Sequence, residues 1–261
     1  MARDDDLEGM AAFAASLADA SGALIRAAAN RPFATEVKGD GSPVTAVDRA
    51  VEDRLRAMIA ERFPGHGIVG EERGAEAADR AMVWIIDPID GTLPFLAGLP
   101  VYGTLIALLR DGAPVLGVID MPATAERWIG AEGAPTTRNG APVATRAMAS
   151  LETALLSTSN PDFYGPADRP ALARLKAATR WTVYGGSCLA YARIASGRVD
   201  VGVDVALDPF DYLALVPVIA GAGGIITDWR GAALTLASGD RVLAAGDRRA
   251  HAQALEILAA T

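Results

Sequence analysis

Glu71 and Glu72 follow the short apolar run Ile68-Val69-Gly70, and Asp87 and Asp90 flank Pro88-Ile89 directly after the apolar run at 82–86. Four acids are thus delivered to the ends of two expected strands. Two carboxylates three apart in a proline-stiffened turn converge on one point, and hard oxygen ligands of this kind suit magnesium, which also keeps waters. The Ile89 carbonyl is a further donor. Gly91 and Thr92 come next, a tight turn and a helix start whose free amides and dipole would receive a phosphate oxygen. The same stretch also makes an ordinary turn, since Asp, Pro and Gly each favour one. The second acidic pair weighs against that reading, because crowded unpaired carboxylates repel one another and would repel a phosphate dianion too. Divalent ions resolve both conflicts, and a metal pair would activate a water on one side while stabilising the departing oxygen on the other.

Other chemistries have weaker residues. The two histidines, His66 in a PGHG turn and His251 in the C-terminal helix, lie in neighbourhoods unlike a triad. Cys188 precedes Arg193 by one residue too few for a cysteine-phosphatase loop, and Ser187 lacks the flanks of a nucleophile elbow. Thr45 and Asp48 read as a capping pair, and Asp208, Pro209 and Asp211 as N-cap, first-turn proline and dipole-matched acid. At Asp211, capping and metal ligation are compatible. A third class, a nucleotide-binding module, is raised by the glycines of 220–224, but these lie between a helix and a strand, the reverse of a dinucleotide loop.

The elements that must position these groups follow from periodicity. Leu7, Met10, Ala14, Leu17 and Ile25 space a helix over 6–29, and Val47, Val51, Leu55, Met58, Ile59 and Phe63 a second, ended by Pro64-Gly65. A glycine-rich polar loop, KGDGSP at 38–43, lies between them. From Gly67 the pattern becomes strands, with Asp111-Gly112 as a hairpin turn, and predicts a largely antiparallel sheet. After about Ser150, strands and helices alternate as an α/β layer. The division expected is 1–150, carrying most metal ligands, and 151–261, completing the pocket.

The chain has 261 residues, 51% hydrophobic, with a formal charge of -8. That length allows two closely packed halves sharing a core. No basic stripe is present to displace counterions, so nucleic acid is not an expected partner. An acidic N-terminus and the broken apolar stretch at 213–227 argue against a signal peptide or a span, and the single cysteine against disulfides, so the expected location is the cytoplasm, away from membranes.

Five segments in this order, KGDGSPVTAVD (38–48), GEE (70–72), WIIDPIDGT (84–92), GAPVLGVID (112–120) and PFDYLALVPVIAGAGG (209–224), resemble the inositol monophosphatase family of metal-dependent phosphatases. The resemblance implies a layered α-β-α-β-α sandwich, an α+β half joined to an α/β half. It implies that Glu71, Asp87, the Ile89 carbonyl, Asp90 and Asp211 hold two or three Mg2+ ions, with Asp87 bridging, and that Gly91 and Thr92 contact phosphate. Thr92, Glu71 and Asp48 would orient the attacking water, and the mobile loop at Lys38 would close the site. Family members are typically magnesium-activated, lithium-inhibited homodimers acting on small phosphomonoesters without a phosphoenzyme. Within the family, GTLIALL, ERWIG (126–130) and VYGGSCLAYARIASGRVDV look most like histidinol-phosphate phosphatases, with inositol 1-phosphate or another polyol or sugar phosphate as the alternative substrate. Ser187, Asp204 and Asp211 would meet the leaving group. Here Ser187 replaces that branch's usual aspartate, Asp204 its glutamate and Asp208 its common lysine, and Leu93-Pro94 is atypical.

Overall fold

The computed structural model describes residues 6–29, 31, 34–39, 41, 43–148 and 150–260. Asp40 and Ser42 of the polar loop lie outside the described residues. The helices are α1 Leu7–Ala28, α2 Ala46–Arg62, α3 Thr92–Ala97, α4 Arg169–Ala178, α5 Ser187–Ala195, α6 Pro209–Tyr212, α7 Leu215–Gly221 and α8 Arg248–Ala259. The first strands are β1 Thr35–Val37, β2 Pro43–Thr45, β3 Gly67–Gly70, β4 Gly74–Glu76, β5 Met82–Asp90, β6 Gly103–Arg110, β7 Ala113–Met121, β8 Glu126–Ala131, β9 Thr137–Arg138 and β10 Ala141–Pro142. Then come β11 Leu155–Thr158, β12 Trp181–Tyr184, β13 Val201–Asp204, β14 Ile225–Asp228 and β15 Val242–Ala245.

The layered sandwich expected from the sequence is the architecture found. Strands β10-β9-β8-β7-β6-β5-β3-β4 form an eight-stranded sheet in which only β3 and β5 run parallel. Its one face buries Trp84, Ile86, Ile106 and Val118 beneath α1 and α2. Its other face buries Val83, Ile85, Leu105 and Ile119 against α5, α6 and α7, of which α5 and α7 also cover the second sheet, β12-β11-β13-β15-β14. The far side of that sheet, with Val201, Val203 and Leu243, packs on α4 and α8. Alternation along β5 therefore decides which side chains reach the central layer. Strand β15, unexpected from the sequence, is inserted between β13 and β14. The KGDGSP loop is not a free loop either: β1 and β2 pair as a hairpin on its flanks.

Two local features place the acids. In β5, Asp87 faces Leu105 and Asp90 faces Gly103, so three steps on β5 match two on β6. This bulge, where Pro88 has no N–H to lose, brings Asp87 and Asp90 to the same face, which strict alternation would forbid. The second is the close seating of the α6–α7 segment. A Cβ on Gly117 would lie 2.0 Å from the Ala214 carbonyl oxygen and one on Gly130 2.4 Å from that of Pro217. Only glycine lets this backbone lie directly on the sheet, bringing Asp211 over β5 and β6. Gly117→Ala should therefore lower stability by roughly 3 kcal/mol. In a thermal melt that is a Tm drop of roughly 6–12 °C; an unchanged Tm would mean the helix can withdraw freely.

Candidate metal and phosphate site

One carboxylate oxygen from each of Asp87, Asp90 and Asp211 lies within 4.8 Å of the others. Asp87 is only 1% exposed and its Oδ1 has no hydrogen-bond partner, while Asp90 and Asp211 are partly exposed. Each neighbour is anchored from outside: Asp90 Oδ2 accepts the Cys188 N–H at the start of α5, and Asp211 Oδ2 accepts the Asp208 N–H at 2.7 Å. Asp87 Oδ1 is left without any partner between them.

The charges are frustrated as they stand. Burial, and then the neighbouring charges of Glu71, Asp90 and Asp211, push the Asp87 carboxyl well above its ordinary pKa. Burial followed by Asp90 does the same to Asp211, and burial raises Asp90 against the pull of the Cys188 amide. A buried oxygen without a partner, in an all-oxygen donor set, fits a hard dication, which would supply the missing positive charge.

Glu71 stands beside Asp87 rather than inside the cluster of three. Its own pKa is raised by burial, which the Lys38 ammonium only partly counters. Lys38 Nζ lies 2.6 Å from Glu71 Oε1 and 2.6 Å from Glu72 Oε1. Burial works against that ammonium, but hydrogen bonds and attraction from both glutamates outweigh it and hold the lysine pKa above its usual value. The loop carrying Lys38 thus already touches the acidic site.

Gly91 adopts φ 82°, a left-handed turn that starts α3, and Thr92 Oγ1 donates to the Ile89 carbonyl at 3.2 Å. The Pro88 carbonyl accepts from buried Thr104 Oγ1 at 2.8 Å, and Ser21 of α1 hydrogen-bonds Thr104 in turn. These two hydroxyls fix the turn from below, and neither was singled out in the sequence, where each reads as one more small polar residue in an apolar element. Asp48 completes the capping box with Thr45, yet its Oδ1 is buried and unpartnered, so capping explains only half of its side chain. Ser187 sits against the turn: a Cβ on Gly91 would lie 2.7 Å from Ser187 Oγ.

Asp204 has a different task from the substrate contact expected of it. It is 2% exposed, accepting the Ser159 N–H at 2.6 Å, Thr158 Oγ1 at 3.1 Å and the Tyr191 hydroxyl at 2.8 Å. An aspartate at the end of β13 is drawn into this polar knot. Burial lifts its pKa from 3.8 to about 6, against the pull of those donors. A carboxyl whose folded pKa exceeds its unfolded one makes the fold lose stability as pH rises between the two values. Asn can keep its oxygen on Ser159 and donate to Tyr191, so Asp204→Asn should gain on the wild type by up to about 3 kcal/mol between pH 4 and 6. Parallel Tm curves for the two proteins across that range would refute it.

The ERWIG segment is β8, and its side chains brace α5. Glu126 accepts both Arg193 amino groups, at 2.9 and 2.6 Å, and Trp128 Nε1 donates to Ser196 Oγ at 2.8 Å. The glycines of 220–224 run from α7 into β14 and serve close packing: a Cβ on Gly224 would lie 2.8 Å from the Ala245 carbonyl oxygen. No helix among the described residues is long and apolar enough to cross a membrane.

The fold and the acidic cluster at the end of β5 define the class, a phosphoric monoester hydrolase of a metal-dependent family that acts on small phosphomonoesters. This chain belongs to the inositol monophosphatase family, whose sequence profile matches residues 6–260. It is 44% identical to "Bifunctional phosphatase IMPL2, chloroplastic" of Arabidopsis thaliana, across 98% of this chain and 76% of that one. It is 36% identical to "Histidinol-phosphatase" of Chlorobaculum parvum, across 74% and 75% of the two chains. Among solved structures, an inositol monophosphatase from Zymomonas mobilis superposes with a TM-score of 0.89 at 38% identity, covering 97% of this chain and 99% of that one.

Proposed function

We propose that this phosphatase hydrolyses histidinol phosphate to histidinol with Mg2+, using water directly and no phosphoenzyme. The observation that supports the metal reading most is that Asp87, which brings a carboxylate oxygen within 4.8 Å of those of Asp90 and Asp211, also has a buried oxygen with no hydrogen-bond partner. Glu71, Asp87, the Ile89 carbonyl, Asp90 and Asp211 would hold two or three ions. Bound dications would offset the carboxylate charge, polarise the phosphate and make its attacking water more acidic. Residues 1–150 contribute all of these donors but Asp211, which comes from 151–261.

The chain's own groups do the rest. The amides of Gly91 and Thr92 at the start of α3 would hold phosphate oxygens and orient the ester. Thr92, Glu71 and the free oxygen of Asp48 would align the attacking water and receive its proton. Lys38, on the hairpin tip, would exclude bulk water from the charged centre. Ser187, against the phosphate turn, would meet the leaving group. The working form in this reading is a cytoplasmic homodimer.

Similarity to a protein named as a histidinol-phosphatase supports the substrate. The neutral Ser187 favours a second reading, a polyol such as inositol 1-phosphate, because a hydroxyl beside the phosphate turn suits sugar hydroxyls better than an ammonium. The test is kcat/KM over a panel of phosphomonoesters with magnesium. Histidinol phosphate is expected to lead; inositol 1-phosphate or a sugar phosphate ahead by about tenfold, ~1.4 kcal/mol in barrier, would give the second reading.

A further inference from the structure

We propose that Glu52, a residue of α2 that touches neither ions nor substrate, is the positioning residue that sets the metal affinity of the site by holding the Glu71-Glu72 turn. This rests on the metal site proposed above.

Glu52 is a fully buried carboxylate, 0% exposed. Its Oε2 accepts the Glu72 N–H at 2.7 Å, and its Oε1 accepts the Arg73 N–H at 3.1 Å and Arg56 Nε at 2.8 Å. The two amides are those that leave β3 immediately after Glu71. Turn amides facing a protein interior need acceptors, and a carboxylate is the strongest available. The approach has also shaped the sequence before it: a Cβ on Gly70 would lie 2.1 Å from Glu52 Oε1, so the glycine preceding the acidic pair is the space through which the carboxylate reaches the turn.

The turn needs such a hold because its cargo is unstable without a cation. Glu71 lies beside Asp87 and next to Glu72, whose own acidic neighbours are Asp48 and Glu52, and repulsion favours splaying the pair apart. Arg56 neutralises Glu52 itself, so the anchor does not add an uncompensated buried charge. On the opposite side of the turn only the Lys38 ammonium bridges the pair among the described residues, and that hairpin is separate from the sheet that carries β3. The Glu71 N–H is tied to the Ile86 carbonyl at 3.2 Å and Arg73 pairs with Asp53, so when Lys38 lets go Glu52 is the buried anchor of the Glu72 and Arg73 amides. Without it, Glu71 has to be gathered at the moment of ion binding, which weakens affinity without altering the assembled site.

Glu52→Gln keeps the shape but turns an amino group towards at least one donor. Three readings are taken on the full chain: amide hydrogen exchange, the Mn2+ dissociation constant by electron paramagnetic resonance, and kcat at saturating metal. Exchange should accelerate at least tenfold at residues 72–74 and stay unchanged elsewhere in β3 and β5. The Mn2+ dissociation constant should rise about tenfold, with kcat at saturating metal within threefold of wild type. A general loss of structure would instead speed exchange across the sheet and lower kcat as well, and that pattern overturns the proposal. Glu52→Asp, charged but one methylene shorter, should behave like Glu52→Gln, because the turn requires two acceptor oxygens at the reach of a glutamate. If both fail to fold, Gly70→Ala reads the same contact from the other side and should weaken Mn2+ binding likewise. Asp90→Asn is run in parallel. If it weakens Mn2+ binding while the Glu52 and Gly70 variants bind like the wild type, this inference is wrong and the metal site stands; if it leaves binding unchanged, both fall.

Discussion

Asp87→Asn is expected to lower metal-dependent phosphate release by about three orders of magnitude, ~4 kcal/mol in barrier, while making the metal-free protein more stable than the wild type. Both effects have one source. Asp87 is 1% exposed, its Oδ1 has no partner, and burial together with Glu71, Asp90 and Asp211 raises its pKa. A raised carboxylate pKa means that the metal-free fold loses stability as pH climbs above the ordinary aspartate value of 3.8, because the unfolded chain ionises freely and the folded one does not. Asn removes that penalty. With magnesium the order reverses, since a ligand at a hundred times its dissociation constant stabilises the wild type by about 2.7 kcal/mol, and the variant forfeits most of that. Tm measured near neutral pH in chelator and in magnesium should therefore cross between the two proteins. A variant less stable in both conditions, or one that keeps its activity, contradicts the assignment.

Asp90→Asn should raise the magnesium concentration for half-activation on the order of 100-fold and depress turnover with it, ~2.7 kcal/mol in affinity. Asp90 is bound on one side by the Cys188 N–H and faces Asp87 and Asp211 on the other. An amide in its place must turn a donor either to that N–H or towards the cation, so it cannot satisfy both. Activity profiles against magnesium at fixed substrate separate this from loss of a proton-transfer group, which would lower kcat without moving the metal requirement. Wild-type turnover at ordinary magnesium would show that Asp90 plays no part in holding the ions.

The parts of the site visible in the sequence are those set by local rules. Short continuous apolar runs gave β3, β5 and the β6–β7 hairpin with Asp111-Gly112 at its tip, and the 3.6 period gave α1 and α2 within a residue or two. Asp208 and Asp211 were legible as a helix start, which is where they lie. What escaped depends on partners distant in the chain. The bulge that turns Asp87 and Asp90 to one face exists only against β6. The pairing of Lys38 with Glu71 spans 33 residues, and nothing within either segment announces it. Asp204 is expected at the leaving group only through the family resemblance, whereas hydrogen-bond donors from β11, Ser159 and α5 hold it inward. Glu52 did leave a trace: with Val51 and Leu55 it sits on the stripe of α2 that is buried, where an acid without a partner would be costly. Strand β15 is short and alanine-rich, with β propensity too weak to declare itself, and is held in place by its neighbours β13 and β14.

The central claim is that Glu71, Asp87, Asp90 and Asp211 form one cation-binding centre. Anomalous diffraction from crystals of the active protein grown with Mn2+ in place of Mg2+ tests it directly. The account predicts anomalous peaks enclosed by these four carboxylates, with the Asp87 oxygens shared between ions. Peaks confined to other acids, or none at Mn2+ concentrations that sustain full turnover, would contradict it.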